Sequence, residues 1–384
     1  MKQVNPHSHL PALDVSSVGN VSPPTALNIV DLPCMQTWIA TSPPTRFYGS
    51  KKRLLPWIYD QVKSLEFETV LDPFGGTASV SRLFQGMGKE VTYGDAFLFN
   101  RQAAHAVLQG CPSFDASDFH KWIDGVTPVR GWVSEHFHEV FYTADENRWI
   151  DGFTSRLRRS GFNKAEKHVM QYCFYQASLR KRPFNLFHRA NLGLRTKEGI
   201  KRSFGNLTTW NKSFDQHMKE AFFDLQACPR ENVVSANIID NPEPLEADGV
   251  YDLVYLDPPY LNRKTTSPGD DYWKKYAFLE LVAQNLDSYP SALNQNRVPT
   301  IERPQPFLRW STGHQYLESL ETILDKYSAS KVILSYTSES YPSVDQITAL
   351  FRDRWSKTSV NYKTFSHALR KTKKSEVLFI GAHE

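Results

Sequence analysis

The sequence predicts an α/β fold: a mainly parallel sheet interrupted by an inserted domain. Three observations carry that expectation. Short apolar runs ending on an acid alternate with helical stretches; two loops, Asp72-Pro73-Phe74-Gly75-Gly76 and Asp257-Pro258-Pro259-Tyr260, follow two such runs; and between them the rhythm fails while positive charge accumulates. Strand, helix, strand units of this kind need a parallel sheet, because only a crossover returns the chain to the same edge.

Residues 1–45 hold seven prolines and little charge, which reads as an N-terminal extended arm, part of it ordered against the body through Leu27, Ile29, Val30, Leu32 and Trp38. From Lys63 the pattern tightens. Thr69-Val70-Leu71 is a short buried strand ending at Asp72; Thr77 to Met87 has helical period and Gly88 stops it; Glu90 to Tyr93 is a second strand ending at Gly94-Asp95. Asn100 to Leu108 reads as the next helix. Strand-like order returns at Val233–Ile239, Tyr251–Leu256 and Lys331–Tyr336, and a closing hairpin is expected from Ser359–Phe365 and Glu376–Ile380. The domains expected are the arm at 1–45, a catalytic domain from 46–111 and 231–384, and an insert at 112–230.

The insert carries the charge. Asp151 to Glu220 contains fifteen Lys or Arg against five Asp or Glu, an excess of ten in a chain whose total is +4. Such a stretch suits a polyanion, although any single run of cations on a helix can equally be a solvated face. A helix is expected from Lys164 to Leu179, then turn-rich sequence through Gly193, Gly199 and Gly205.

Other chemistries find little support. Cys34, Cys111, Cys173 and Cys228 form no CxxC pair, and His105, His168, His188 and His217 no HExxH or close pair, so no metal site is expected. No run approaches eighteen apolar residues and the amino terminus lacks a signal pattern, so the expectation is a soluble cytoplasmic protein with no membrane partner.

The two loops carry the chemistry. Glycines at the tip of a parallel strand let backbone approach a ligand that a side chain would exclude, and ligands in such sheets bind beyond the carboxyl ends of the strands. Asp95, twenty residues beyond Gly75, is placed to accept hydrogen bonds from ribose hydroxyls. Neither GxGxxG nor GxxxxGK[ST] is present, which favours an adenosine with a sulfonium arm, S-adenosylmethionine, over a dinucleotide or triphosphate. In the second loop two prolines stiffen the chain and hold the Asp257 carboxylate, the Pro258 carbonyl and the Tyr260 ring at fixed angles. A carboxylate and a carbonyl accepting the two N–H bonds of an aromatic amine can pull it toward tetrahedral geometry, while a tyrosine stacks on the base.

These loops resemble the cofactor and catalytic motifs of the amino-group DNA methyltransferases, and their order around an insert is similar to the alpha class that includes the DNA adenine methylases. Arg46 to Leu55 resembles the segment preceding the cofactor loop there, with Tyr48 and Lys51 implied near the cofactor. Tyr272 to Glu280, Ser335 to Ser338 and Glu376 to Ile380 also look like family segments. The resemblance implies a class I S-adenosylmethionine-dependent, Rossmann-like sheet with a reversed last strand, and an inserted target-recognition domain. It places Asp72, Phe74, Gly75 and Asp95 at the cofactor and Asp257, Pro258, Pro259 and Tyr260 in the catalytic loop. The strand Val233–Ile239 ends without a single clear acid, so Asn237 and Asp240 stay alternatives for the cofactor adenine.

The implied activity is methyl transfer to the N6 amine of adenine in a specific double-stranded DNA sequence, by direct in-line transfer to a flipped base. A carboxylate is too weak a base to deprotonate an adenine amine, so positioning and electrostatics should carry the rate. Asp at position 257 and the motif order favour adenine over the N4 amine of cytosine, the nearest alternative; a non-catalytic DNA-binding protein on the same scaffold is another. Phosphate contacts are expected from Arg156, Arg158 and Arg159, and base readout near Arg189, Asn191, Arg195 and Asn206. The implied partners are duplex DNA and, where the chain belongs to a restriction-modification pair, a separate cognate endonuclease; the setting would be the nucleoid of a prokaryote or phage-infected host.

Overall fold

The computed structural model describes residues 32–384 except 45, 46, 48, 112, 200–206, 231–232, 244, 246–248, 269–270, 285–297, 302 and 366–373. The chain opens with α1 (Leu32–Thr41) and α2 (Leu55–Val62), then β1 (Thr69–Asp72), α3 (Ser79–Gly86), β2 (Glu90–Tyr93) and α4 (Leu98–Ala104), which continues into a wider π turn at His105–Gln109. Next come helices alone: α5 (Ala116–Asp124), α6 (Trp132–His136), α7 (Ala144–Arg158), α8 (Lys164–Arg180), α9 (Gly193–Thr196), α10 (Leu207–Asn211) and α11 (Phe214–Gln226). The sheet resumes with β3 (Asn237–Ile238), β4 (Leu253–Leu256) and β5 (Leu261–Asn262), followed by α12 (Tyr272–Ala283), α13 (Gly313–Lys326), β6 (Lys331–Thr337), β7 (Ser340–Tyr341), α14 (Val344–Arg352), β8 (Lys357–Phe365) and β9 (Lys374–Ala382).

The main sheet has the order β3-β2-β1-β4-β6-β9-β8. β1 pairs in parallel with β2 and β4, and β4 with β6; β9 alone runs against its neighbours, wedged between β6 and β8. The closing hairpin and the reversed last strand expected from the sequence are both present. Between β2 and β3 the chain leaves for the helical insertion, yet Thr92 pairs with Asn237 as though nothing intervened. The expected strand at Val233–Ile239 shrinks to two residues at the sheet edge, where one neighbour supplies the ladder.

Successive side chains in a strand face opposite ways, and both faces here are apolar. Val70, Leu253, Ile333 and Leu378 face one layer, packed by α1 to α4, the insertion and α12. Leu71, Val254, Val332, Leu334 and Phe379 face the other, covered by α13 and α14. The first cluster runs on without a break to Phe141, Phe187 and Phe222, so the insertion shares the core of the sheet. The helices begin where the sequence caps them. Thr143 with Glu146, Asn163 with Glu166, Ser213 with Gln216 and Ser343 with Gln346 each form a capping box, satisfying two orphan amides at the first turn. The described end of the N-terminal segment is helical: Trp38 of α1 lies over Gly86 and donates to the Arg82 carbonyl at 2.8 Å.

Candidate active site

The carboxyl ends of β1, β2 and β4 open into one cleft of about 190 Å³, lined by the Asp72–Thr77 turn, by Asp95 to Phe97 and by Asp257 to Tyr260. The wall opposite comes from α12 and from a 3-10 turn at Gln305–Trp310, whose Trp310 meets Phe74 edge to face at 5.3 Å and whose Phe307 packs on Trp273.

The turn after β1 is built by close approach. Gly75 donates to the Gly94 carbonyl at 2.9 Å, and a Cβ at Gly75 would sit 2.2 Å from the Tyr93 ring, so no other residue fits without moving β2. Tyr93 closes the turn from below by donating to the Gly76 carbonyl at 2.7 Å. Asp95 ties it from the side: Oδ2 accepts from Gly76 N at 2.9 Å, and Oδ1 from Phe97 N at 2.8 Å and Asn100 Nδ2 at 3.0 Å. Burial pushes the Asp95 carboxyl above its ordinary range, against these bonds, which favour the ionised form. Asp72 is fully buried beneath the turn. Its Oδ2 accepts from Ser81 Oγ at 2.6 Å while Oδ1 has no partner among the described residues, and burial pushes its pKa up to about 7.

The turn after β4 is clamped from far away in sequence. Lys51, at the head of a 3-10 turn capped by Ser50, donates to Asp257 Oδ1 at 2.9 Å and lies 2.8 Å from Oδ2. It also donates to Tyr260 Oη at 2.9 Å, and Tyr260 in turn donates to Asp257 Oδ1 at 2.6 Å. Burial alone would lower the Lys51 ammonium, but the carboxylates of Asp257 and Glu376 more than offset it and hold the pKa above the usual lysine range. Burial and the charge of Asp257 keep the Tyr260 hydroxyl protonated. The ring stands edge-on to Tyr336 at 5.5 Å, and the next two residues are pinned by antiparallel pairing of β5 with β7.

The structure thus brings Lys51, Asp72, Phe74, Gly75, Asp95, Asp257, Pro258, Pro259 and Tyr260 to one cleft. Tyr48 and Asn206 lie outside the described residues. Asn237 and Asp240 are not among the lining residues: Asn237 is exposed, and Asp240 turns to Lys164 at 3.3 Å, while Glu243 and Leu245, further along, do line the cleft. Arg195 is 7% exposed and both its terminal nitrogens donate to Glu146, at 2.6 and 3.0 Å, which ties it to α7 as a buried strut. Lys181 joins the same carboxylate at 2.7 Å, and the fully buried Arg182 donates to the carbonyls of Leu186 and Ala190, shaping the loop after α8. Among the described residues, Arg180, Lys181, Arg182 and Arg195 of the insertion are therefore internal. Arg156 lies on the Trp122 ring at 4.7 Å; Arg158, Arg159 and Arg189 are exposed and Asn191 partly so.

Sequence reasoning missed three features. The Lys51 clamp joins residues 206 apart. The 3-10 roof over the cleft carries no motif. Phe184 is about half exposed with φ 66°, a backbone state costly for a bulky residue, in the loop whose Phe187 N donates to the Lys275 carbonyl of α12 at 2.9 Å.

The sheet order with a reversed strand and a ligand cleft at the carboxyl ends define a class I S-adenosylmethionine-dependent methyltransferase fold. Residues 47–297 match the family described as D12 class N6 adenine-specific DNA methyltransferase, and the chain belongs to that family. It is an enzyme that transfers a methyl group from S-adenosylmethionine to the N6 amine of adenine in DNA. No individual curated protein matches it. The residues present fit the cofactor: Asp72 Oδ1 and Asn100 Oδ1 are buried acceptors beside the cleft with no partner among the described residues, and Phe74, Phe97 and Trp310 give it aromatic walls. No helix among the described residues is long and apolar enough to cross a membrane.

Proposed function

We propose that this enzyme methylates adenine within a short specific sequence of duplex DNA, with the base flipped into the cleft beside Tyr260. The observation that carries the reading is the Lys51, Asp257 and Tyr260 cluster, which shares one cleft with Asp72 and Asp95. S-adenosylmethionine, when bound, supplies an electrophilic methyl on a sulfonium. Asp72, Phe74, Gly75, Asp95 and Asn100 would hold it. Asp257 and the Pro258 carbonyl would accept the two amine hydrogens, and Tyr260 would stack on the base. Asp257 Oδ1 already accepts from both Lys51 and Tyr260, so Oδ2, which among the described residues meets Lys51 alone, is the oxygen with room for an N–H. The buried ammonium of Lys51 holds that carboxylate in a fixed place, as an acceptor aimed at developing positive charge requires. The proton leaves after the new bond has begun to form.

The division of labour follows. Residues 46–111 and 231–384 form the catalytic domain, 112–230 the recognition domain, and 1–45 an arm. The loop after α8 reads bases through Arg189 and Asn191, with Asn206 nearby in sequence, and Phe184 offers an apolar ring to the gap in the stack that a flipped base leaves. Arg158 and Arg159 meet phosphates. Three buried free thiols, Cys111, Cys173 and Cys228, support a reducing cytoplasm, on the nucleoid of a prokaryote or phage-infected cell. A cognate endonuclease would be a separate chain.

The test separates cofactor from base. Asp257→Ala should bind S-adenosylmethionine within a few fold of wild type while losing transfer, and Asp95→Ala should lose cofactor affinity by calorimetry. The reverse pattern would exchange the two assignments.

A further inference from the structure

The turn that follows the catalytic loop is exposed, cationic and rigid, and the chemistry described above does not use it. We infer that Arg263 and Lys264 form a phosphate clamp on the catalytic domain, gripping the DNA backbone next to the flipped adenine. The inference rests on Asp257–Tyr260 being the catalytic loop.

Both ends of the turn belong to the cleft. Tyr260 lines it on one side and Pro268 on the other, so residues 263–267 stand at its mouth. Three things fix the tip. Leu261 is buried and pairs with Tyr341 while Asn262 pairs with Ser340, and Leu261 also bridges to Pro268. The Asn262 side chain accepts from Lys264 N at 2.9 Å, and Thr266 N returns to the Asn262 carbonyl at 2.8 Å. Thr266 packs where a Cβ on Gly313 would lie 3.0 Å away.

The tip presents Arg263, Lys264 and Thr265 to solvent. Neither cation forms an ion pair among the described residues, and Glu339, which precedes the Ser340 partner of Asn262, makes none with them. In this they differ from Arg180, Lys181 and Arg195 of the insertion, which are buried on carboxylates. Flipping a nucleotide rotates its backbone out of the helical path, so the flanking phosphates must be held in their new place. Fixed cations beside the base pocket can do this, whereas the insertion's side chains meet bases and phosphates farther along the duplex. A phosphate contact carries no sequence information, so the clamp would serve every duplex alike.

The experiment replaces both cations, Arg263→Gln with Lys264→Gln, with Arg352→Gln on α14 as control, and titrates cognate and scrambled duplexes across salt concentration. The double variant should bind both duplexes about tenfold or more weakly near 0.1 M salt, with the log–log salt slope flatter by roughly 2. S-adenosylmethionine affinity in the absence of DNA should stay within about twofold, because neither residue lines the cleft. Wild-type affinity and slope in the double variant would overturn the clamp. So would a loss confined to the cognate duplex, because that is base reading. An Asp257→Ala enzyme with normal turnover would instead remove the catalytic assignment and leave a flattened slope standing as a DNA contact.

Discussion

Lys51 Nζ lies 2.8 Å from Asp257 Oδ2 and donates to Oδ1 at 2.9 Å, joining the segment before the cofactor loop to the catalytic loop. Ser50 beside it approaches Thr77 at 3.5 Å, so one short turn touches both loops. Removing the ammonium leaves a carboxylate without its fixed partner. Lys51→Met is expected to lower kcat by about 10²-fold, with Lys51→Arg recovering part of it and DNA affinity little changed. Single-turnover rates at saturating cofactor and DNA measure this. A Met variant with wild-type kcat would reduce the clamp to packing.

Asp72 gives a pH signature. Its pKa is 3.8 in the unfolded chain and about 7 when folded, raised by burial. Below pH 4 both states are protonated. As pH rises from about 4 to about 7 the unfolded chain releases its proton while the folded one still holds it, so stability falls across that window and stays lower above it. The loss is on the order of 4 kcal/mol at most. Urea titrations at pH 5 and pH 8 should show it in wild type and not in Asp72→Asn. A cationic centre of S-adenosylmethionine placed near this carboxyl would favour its ionised form, so binding near pH 6.5 should release a proton. Calorimetry in buffers of different ionisation enthalpy reads that directly, and identical heats after buffer correction for zero protons would contradict it.

What the sequence made legible is what local chemistry dictates. Val70, Leu71 and the Asp72 turn, the Glu90–Tyr93 strand, the Asp257 loop and the last hairpin all follow from short-range pattern, and Gly88 ends its helix with φ 77° as expected. Thr143 and Glu146, or Ser343 and Gln346, mark helix starts by spacing alone and could have located α7 and α14. The partners of the charged residues were not legible. Arg195 reads as a surface cation until Glu146, 49 residues away, is seen to hold it. Charge counts locate a basic segment but not which cations face water. The same holds for the cleft: Asp257 announces itself, whereas Lys51 becomes its partner only when the sheet brings the two together.

The Glu146 cluster predicts a stability effect without a DNA effect. Its carboxylate is held by Arg195 and Lys181, which bring its pKa down to about 2 although burial opposes them. The stabilisation is therefore present above pH 4.5 and fades as pH falls toward 2. Glu146→Ala strands two buried cations and should cost about 3 to 5 kcal/mol. Arg195→Met should keep DNA site preference unchanged where it folds. A switch in methylated sequence would return Arg195 to the reading surface.

The two ends of α7 make a spatial prediction. Its first turn holds Arg195 and the loop after α8 through Glu146, and its last carries Arg158. Fifteen residues at 1.5 Å rise separate them by roughly 20 Å, about six base pairs of duplex. Arg156, Arg158 and Arg159 changed together to Gln should weaken binding to all duplexes and flatten the salt slope, while Arg189→Gln or Asn191→Ala should change which sites are methylated, at about 1 to 3 kcal/mol per lost base contact. A flat result for the triple variant would confine DNA to the loop end.

In the proposed mechanism the Asp257 loop positions an adenine amine for transfer. Incubating mixed-sequence duplex DNA with wild type and with Asp257→Ala at saturating S-adenosylmethionine, then mapping methyl groups at single-nucleotide resolution, tests it most directly. N6-methyladenine is expected in one short sequence context with wild type, with a loss of about 10² or more in the variant. Methyl groups on the N4 amine of cytosine, or equal transfer by Asp257→Ala, would contradict it.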